Sequence, residues 1–348
     1  MNKKVYIVIL NWNGWKDTIE CLESVFRSKY NNYKVIVCDN CSNDGSIEKI
    51  RQWADGKLKA NITDDPRIAF YTSPAVEKPL QYLEYTREQV ENGELSIDEP
   101  PLILIQTGKN LGFAGGNNVG MRYALAKSDF DYIWLLNNDT VVQNDTLLYL
   151  LEHVKGKPQM GICGSTLLFY DNPDKVQAFG GAVYNSWLAL SNHIGLYQDY
   201  NVPVDYLEII EKKMDYVVGA SMLVKREFLL DIGLMCEDYF LYYEEVDWAI
   251  RAKKKYVLGY APSSIVYHKE GASIGSSSNP LEKSFIADFY ANKNRVVFTK
   301  KYYPWLLPVV YSSLLISIVN RIRRRQWSRV IFLIKILFSL GEYRHERN

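Results

Sequence analysis

The sequence predicts an α/β protein whose core is a mixed, mainly parallel sheet flanked by helices. The first observation is an order of elements: Val5–Leu10 is a short apolar run typical of a buried strand, Thr18–Phe26 has apolar residues at helical spacing, and Lys34–Cys38 is a second apolar run. Strand, helix and strand in this order form the parallel βαβ unit. The second observation is that Leu102–Gln106 and Tyr132–Leu136 have the composition of further buried strands.

The segments between these strands complete the expected order of elements. Residues 161–225 carry short alternating stretches, which predict an antiparallel or mixed second half. The other expectations are a helix over Ile47–Trp53, a strand over Ile68–Tyr71, an insertion at the sheet edge over Ser73–Pro101 with a helical stretch near Gln81–Val90, and a glycine-rich turn at residues 110–118 that opens a helix through Ala126.

Composition excludes several classes of protein. The 348 residues include 41 basic and 40 acidic side chains, and this net charge of +1 provides no global field to attract a nucleic acid. The five cysteines form no disulfide-like pattern, and the amino terminus runs directly into a strand without a signal-peptide cleavage site. A reduced, cytoplasmic location is therefore expected.

Polar residues follow three of the predicted strands. They occupy Asn11–Gly14, Asp39–Ser46 and Asn137–Asp139, and ligands of open α/β sheets bind beyond the carboxyl ends of strands. Asp139 is placed to hold a divalent cation together with the oxygens of a diphosphate. Each segment taken singly also has the composition of an ordinary turn. Neither a P-loop nor a G-x-G-x-x-G sequence occurs, which removes the main support for an ATPase, a kinase or a dehydrogenase.

A second group of acids lies in the later half of the chain. Glu244, Glu245 and Asp247 stand among aromatic residues, where burial raises the pKa of a carboxyl and suits it to general-base catalysis. The alternative is a helix amino terminus whose acids complement the helix dipole. His268 is one of four histidines, and it becomes a candidate metal ligand if Asp139 binds a cation.

Seven blocks in this chain resemble those of a known family. In order over residues 5–300 they are IVILNWNG, VIVCDNCSNDGS, KNLGFAGGNN, WLLNNDTVV, GASMLVKRE, FLYYEEVDWAIRAKKK and HKEGAS. They are similar to the inverting family 2 glycosyltransferases of the GT-A fold, and most of all to the bacterial rhamnosyltransferase-like branch. The resemblance implies a Rossmann-like GT-A sheet and transfer of a sugar from a nucleoside diphosphate donor to an acceptor hydroxyl, assisted by Mg²⁺ or Mn²⁺.

The resemblance also implies roles for individual residues on the donor side. Asp139 resembles the last acid of the DXD metal motif, written NND here, and His268 resembles the histidine that completes the metal or phosphate site. Asp39 resembles the aspartate that contacts the donor base. The donor-binding residues implied in this way are Asn11, Asn13, Asp39, Lys109, Asn110, Asn117 and Asn138.

On the acceptor side, Glu244 and Glu245 resemble the family's ED motif, whose second acid is the general base. Glu245 is thus the expected base, with a glutamate in place of the commoner aspartate, and Asp247 is the alternative. Tyr243 and Trp248 are expected either to form a wall for the acceptor sugar or to pack in the core.

The carboxyl-terminal segment has its own pattern. Two apolar runs, Trp305–Val319 and Val330–Leu340, each fall short of the roughly 20 residues that cross a bilayer, and five arginines lie in residues 321–329 between them. Residues 327, 330, 331, 334, 337 and 338 share one helical face. This favours amphipathic helices on an anionic membrane surface; the alternative is a helical hairpin packed on the catalytic domain or on a dimer partner.

The expected organisation is a catalytic domain over residues 1–300 and a helical tail over residues 301–348. Residues 1–145 would form the nucleotide-sugar half, including the insertion at residues 73–101, and residues 146–300 the acceptor half. The expected function is metal-dependent transfer of a sugar, with dTDP-rhamnose favoured and a UDP-sugar next, to a glycan or lipid-linked acceptor of a bacterial surface polysaccharide. The expected location is peripheral, on the inner face of the cell membrane. The alternatives are a nucleotidyltransferase and a catalytically degenerate glycan-binding or scaffold protein.

Overall fold

A computed structural model describes residues 2–200, 206–269 and 284–338, and a mixed sheet lies at its centre. Within those residues the sheet has ten strands. In spatial order the path runs through β3 (Tyr82–Thr86), β4 (Leu102–Gln106), β2 (Tyr33–Asp39), β1 (Val5–Asn11), β5 (Tyr132–Asn137), β12 (Ser221–Lys225), β7 (Met160–Phe169), β13 (Val257–His268) and β6 (Thr140–Val142), with β8 (Asn172–Phe179) paired to β7.

One half of the sheet is parallel. The strands β3, β4, β2, β1 and β5 are parallel neighbours. Their register sets Asn11 opposite Asp39 and Leu10 opposite Asn137, so the carboxyl ends of β2, β1 and β5 reach the same edge. The antiparallel partners β12 and β6 make the rest of the sheet mixed. The predicted fold class is confirmed.

Helices cover both faces of the sheet. Successive side chains of a strand point to opposite faces, and in β1 Tyr6 and Val8 pack in one hydrophobic core while Ile7 and Ile9 pack in a second. The helices are α1 (Trp15–Val25), α2 (Ser46–Ala54), α3 (Pro66–Thr72), α4 (Arg87–Glu91), α5 (Gly112–Lys127), α6 (Thr146–Val154), α7 (Leu207–Lys213), α8 (Arg226–Ile232), α9 (Glu244–Ala252), α10 (Phe285–Tyr302), α11 (Leu307–Arg323) and α12 (Trp327–Phe338).

A small antiparallel sheet lies in the second half of the chain. Its order is β10 (Leu190–His193), β9 (Gly181–Asn185) and β11 (Tyr216–Val217). This agrees with the antiparallel or mixed character predicted for residues 161–225.

Two elements between β2 and β4 differ from the prediction. The expected strand Ile68–Tyr71 lies inside α3, which begins at Pro66 because the Asp65 side chain accepts a hydrogen bond from the Arg67 N–H. The expected helical stretch near residues 81–90 starts as the edge strand β3. It turns helical only at α4, where Thr86 and Gln89 form a capping box. A short apolar segment fits both the helical and the strand period, so the residues and strands beside it determine which element forms.

The helices α10, α11 and α12 pack together. The Asp288 carboxylate on α10 accepts from Arg321 and Arg329 at 2.7–2.9 Å, so two of the five arginines are ion-paired. A continuous helical segment over Pro304–Arg323 is, by length and composition, able to cross a membrane. The expectation that the first apolar run is too short was therefore wrong, because the helix continues beyond that run.

The face predicted for α12 is divided in the structure. Val330 is buried, whereas Trp327, Ile331, Ile334 and Phe338 are exposed. Two apolar stripes therefore run along this helix, one against the protein and one facing outward. Residues 339–348 of the predicted tail lie outside the described residues, and the predicted boundary at residue 300 falls inside α10.

Candidate active site

Buried polar side chains join the carboxyl ends of β1 and β2. Asn11 Nδ2 donates to Asp39 Oδ1 at 2.7 Å and to Ser42 Oγ at 3.1 Å, and the Ser42 N–H donates to Asp39 Oδ2 at 3.1 Å. The Asn13 N–H also donates to Ser42 Oγ, at 2.9 Å. The predicted residues Asn11, Asn13 and Asp39 thus lie together around Ser42, for which no role was predicted.

Thr18 extends this network to β5. Its hydroxyl donates to Asn11 Oδ1 at 2.8 Å and accepts from Asn138 Nδ2 at 3.0 Å, and the residue is fully buried in α1. Asn138, predicted on the donor side, therefore connects through one hydroxyl to the cluster at β1 and β2. From the sequence Thr18 was only the first residue of a helical pattern, so its role was not visible.

The glycine-rich block lies beside the same edge. Asn110 Oδ1 accepts from Asn40 Nδ2 at 2.9 Å and from the Gly112 N–H at 3.0 Å, so this asparagine shapes the turn that opens α5. The Asn117 amide donates to a backbone carbonyl one turn earlier at 3.0 Å and is buried. Lys109 is exposed, which leaves a positive charge at the surface of this block.

The two predicted metal ligands are brought together by strand pairing. The antiparallel pairing of β6 with β13 sets Thr140 opposite His268, and Asp139 Oδ1 lies 3.2 Å from His268 Nε2. Burial raises the pKa of Asp139, but His268 and Lys269 outweigh it and leave this pKa below its ordinary value. The carboxylate is therefore ionised.

A divalent cation fits this pair. Within the described residues Asp139 Oδ1 is buried without a hydrogen-bond partner, as is expected of an atom reserved for a ligand. Two ligands about 2.1 Å from one ion and at right angles are about 3.0 Å apart, close to the observed 3.2 Å. In the same part of the chain no group of three or more His, Cys, Asp and Glu side chains could hold a metal. Further ligands must come from other groups, such as a bound diphosphate.

Gln177 orients the histidine of the pair. This residue, buried in β8, places Oε1 2.7 Å from His268 Nδ1. Because an amide oxygen only accepts, Nδ1 carries a proton, and Nε2 is the ring nitrogen that faces Asp139. No sequence signal marks Gln177, since it is a single polar residue in an apolar strand.

The glutamate pair opens α9. Burial raises the pKa of Glu245 to about 7, although hydrogen bonds from its own N–H and that of Gly219 act against the rise. Burial, followed by the charge of Glu245, raises the pKa of Glu244 well above its ordinary value. A carboxyl that titrates near neutral pH is suited to act as a general base.

Gly219 provides the space for the Glu245 carboxylate. A Cβ atom at this glycine would lie 2.5 Å from Glu245 Oε1. The neighbouring Ala220 carbonyl accepts from the Asn137 N–H at 3.0 Å, so the glutamate lies beside the backbone that leads to Asp139. Gly219 belongs to a block that marked the family resemblance, but its contact with the glutamate could not be read from the sequence.

Asp247 does not fit the role of an alternative base. Its buried carboxylate accepts from Arg251 at 2.7 Å, Lys301 at 2.6 Å, Tyr302 at 2.7 Å and Tyr239 at 3.1 Å. Burial raises the pKa of Asp247, but the bonds from Lys301, Tyr302 and Arg251 outweigh it and lower this pKa. The residue joins α9 to α10, and both of its oxygens are engaged.

The two predicted acceptor-binding aromatics are mainly structural. Trp248 is fully buried, donates from Nε1 to the Gly233 carbonyl at 2.9 Å and packs edge-on against Phe228. Of the two expected alternatives for Trp248, an acceptor wall or packing in the core, its buried position corresponds to packing in the core, because its face of α9 points there. The Tyr243 hydroxyl donates to the Ala189 carbonyl, which ties the hairpin of β9 and β10 to the start of α9.

Two characterised proteins are similar in sequence to part of this chain. These curated relatives are the "Low-salt glycan biosynthesis hexosyltransferase Agl10" of Haloferax volcanii, 26% identical over 161 residues, and the "Rhamnosyltransferase WbbL" of Escherichia coli K12, 27% identical over 169 residues.

 The matches cover 43% and 47% of this chain and 46% and 62% of the two relatives. The chain thus spans about half the length of the curated relatives it matches, at low identity.

Solved structures share the fold. A mannosyltransferase from Pyrobaculum calidifontis, in complex with GDP-Man and Mn²⁺, superposes with a TM-score of 0.53 over 98% of this chain and 89% of its own, at 13% identity. GalNAc-T7, with UDP, GalNAc and Mn²⁺, has a TM-score of 0.52 over 84% of this chain and 47% of its own, at 12% identity. At such identities the likeness shows the fold alone.

The family is decided by a match to a sequence profile. The profile described as "Glycosyl transferase family 2" matches residues 6–75 and 84–199, more than half of the chain. The matched ranges contain the polar cluster of β1 and β2, the glycine-rich block and the NND segment. The chain therefore belongs to glycosyl transferase family 2.

Proposed function

We propose that this protein transfers a hexose from a nucleoside diphosphate donor to an acceptor hydroxyl with inversion. The observation that carries the proposal is that a candidate metal-binding pair and a candidate general base lie at the same edge of the sheet. The Glu245 carboxylate lies beside Gly219, and the carbonyl of the next residue, Ala220, accepts from the Asn137 N–H, two residues before Asp139 of the Asp139–His268 pair. A single displacement needs both groups: one side stabilises the leaving diphosphate, and the other takes the proton of the attacking hydroxyl.

On the donor side, Asp139 and His268 would hold Mg²⁺ or Mn²⁺. The ion, when bound, would neutralise charge that develops on the departing diphosphate. Gln177 fixes the His268 ring so that Nε2 faces the site, and the low pKa of Asp139 keeps its carboxylate ionised. The Asn11–Asp39 cluster at the end of β1 and β2 would bind the nucleoside.

On the acceptor side, Glu245 would be the base. Its pKa of about 7 leaves much of it ionised at neutral pH and still basic enough to remove a proton. Asp247 has only the first property: its lowered pKa keeps it ionised but makes it a weak base, and both of its oxygens already accept hydrogen bonds. Glu244 lies beside the base and is the more deeply buried of the two.

We propose dTDP-rhamnose as the donor, with a UDP-sugar next, and a glycan or lipid-linked acceptor in the synthesis of a bacterial surface polysaccharide. The support is the name of one relative, a rhamnosyltransferase that is 27% identical over 169 residues. A degenerate glycan-binding protein is the second candidate. It is favoured by the NND segment, which supplies one acid where the DXD motif has two.

The test measures nucleoside diphosphate release from dTDP-, UDP- and GDP-sugars with Mg²⁺, Mn²⁺ or EDTA. We expect metal-dependent release from one donor in the wild type and its loss in Asp139→Ala and in Glu245→Gln. Asp247→Asn is the matched acid control on α9 and should keep the pH dependence of the wild type. A donor that binds but is never turned over, with or without acceptor glycans, would favour the degenerate protein.

We further propose that α11 and α12 attach the protein to an anionic membrane surface on the cytoplasmic side. Large apolar side chains are exposed along both helices, and Arg323, Arg324 and Arg325 are exposed between them. Apolar side chains next to arginines suit the boundary between lipid headgroups and acyl chains. The exposed apolar residues are Leu315, Ile316, Val319, Ile322, Trp327, Ile331, Ile334 and Phe338.

Vesicle flotation tests the attachment. Each arginine near an anionic surface contributes about 1 kcal/mol, so Arg323→Ala with Arg324→Ala should weaken binding about 30-fold on vesicles containing phosphatidylserine. Lys253→Ala with Lys254→Ala removes the same charge from an exposed turn elsewhere and should change little. Resistance to extraction at high salt and alkaline pH would instead indicate that α11 spans the bilayer. If the protein dimerises and Ile331→Glu abolishes the dimer, a second copy of the chain covers the outward apolar face of α12 instead of a membrane.

A further inference from the structure

The loop that leads into the glutamate pair is held in a strained conformation. Three non-glycine residues in it have positive φ: Phe240 at 62°, Tyr242 at 67° and Tyr243 at 78°. Phe240 is the centre of a γ-turn, in which the Leu241 N–H donates to the Tyr239 carbonyl at 2.7 Å. Such conformations persist only where the surrounding structure enforces them.

Asn294 on α10 supplies that enforcement. Its single amide group donates to the carbonyls of Tyr239 at 2.6 Å, Leu241 at 2.7 Å and Tyr242 at 3.2 Å. The residue has no exposed surface, so water cannot replace these bonds. Its Oδ1 has no hydrogen-bond partner within the described part of the chain, which indicates that the side chain serves as a donor.

The same loop contacts the donor side. The Phe240 carbonyl accepts from the Phe113 N–H at 2.7 Å, one of the first N–H groups of α5, which have no acceptor within their own helix. A Cβ atom at Gly112 would lie 2.2 Å from this carbonyl oxygen. The loop therefore joins the glycine-rich block at one end to the start of α9 at the other.

We propose that Asn294 is a positioning residue, which holds Glu245 in place by fixing the backbone of the loop before it. The inference rests on the proposed function, in which Glu245 is the base. Asn294 does not touch the substrates in this proposal. It acts through three carbonyls, and its loss lets the loop relax to ordinary φ angles and turns the first residues of α9 away from Gly219.

The matched variants are Asn294→Ala and Asn292→Ala. Asn292 lies on the same helix and is also mostly buried, but it donates to the Asp288 carboxylate and carbonyl instead of the loop. For Asn294→Ala we expect kcat to fall about 10²-fold, the cost of displacing a catalytic group by about 1 Å, with donor Kd unchanged. Asn292→Ala should keep kcat. Asn294→Ser, which keeps one donor, should lie between the wild type and Asn294→Ala.

Hydrogen exchange separates this inference from the proposed function. We expect the Phe113 amide and those at the start of α9 to exchange faster in Asn294→Ala and Asn294→Ser than in Asn292→Ala, whether or not a donor has been identified. Unchanged exchange, or a kcat loss no larger than in Asn292→Ala, would overturn the role of Asn294. A wild type without Glu245-dependent turnover would refute the proposed function alone, and exchange would still decide whether Asn294 fixes the loop. Should Asn294→Ala not fold, Asn294→Ser provides the same comparison.

Discussion

Gly219→Ala is the most direct test of where the base lies. The added Cβ would be 2.5 Å from Glu245 Oε1 and 3.1 Å from the Phe113 ring. To reach an ordinary contact of 3.4 Å the carboxylate must withdraw by about 0.9 Å. It is the far end of a flexible side chain, so the protein can accommodate the methyl group at small cost in stability. The reacting group, however, no longer lies where the acceptor proton is removed.

A displacement of about 1 Å costs a catalytic group about 10²-fold in rate. We therefore expect Gly219→Ala to lower kcat by about that factor while donor Kd and the melting temperature change little. The assay is nucleoside diphosphate release under saturating donor, with the folded fraction measured by circular dichroism.

Gly120→Ala is the control. A Cβ there would lie 2.5 Å from Val8 Cγ1, an equally close approach in the core of the sheet and α5. We expect it to lower the melting temperature and to keep kcat per folded molecule. Full kcat in Gly219→Ala would refute the placement of the base beside Gly219, and equal kcat losses in the two variants would show that the effect is general.

Three further predictions concern the same site. Glu245→Gln should lower kcat by about 10²–10⁴-fold, and the wild-type rate should fall about tenfold per pH unit below a pH of about 7, because protonation removes the base. The pKa of Glu245 rises from 4.5 to about 7 on folding, so between these two pH values the folded state binds more protons than the unfolded state. The free energy of unfolding should therefore decline as pH rises from 4.5 to about 7. Denaturant titrations should show a smaller decline in Glu245→Gln. Gln177→Leu should weaken Mn²⁺ binding about 10–100-fold in a titration followed by electron paramagnetic resonance, and unchanged affinity would contradict its role in orienting His268.

The sequence was sufficient for the parallel core because its signals there are unambiguous. Runs such as Val5–Leu10 and Tyr132–Leu136 are apolar on both faces, which is typical of strands covered by helices on each side. The segment between β2 and β4 has no such run. At Ile68–Tyr71 the proline and the Asp65 cap decided the structure, and at Tyr82–Thr86 pairing with β4 did so. Both depend on neighbours that a short pattern does not specify.

The site was predictable where it follows a strand end and less so where it depends on distant contacts. The polar residues after β1, β2 and β5 converge because parallel register aligns those ends. From the sequence, Trp248 could either line an acceptor site or pack in the core, and its position on the inner face of α9 directs it into the core. Gln177 and Asn294 act through single hydrogen-bonding groups brought from other elements, and no local pattern distinguishes such residues from ordinary polar ones.

The contacts of α10 argue against a detachable tail. Lys301 and Tyr302 at its end bind the Asp247 carboxylate of α9, so residues beyond the predicted boundary at 300 help to hold the helix that carries the base. Towards its start, Asp288 binds Arg321 of α11 and Arg329 of α12. One helix thus connects the glutamate pair to the helices that face outward. A truncation at residue 300 would leave the Asp247 carboxylate with two fewer donors, and it should lower stability and activity together even in assays without membranes.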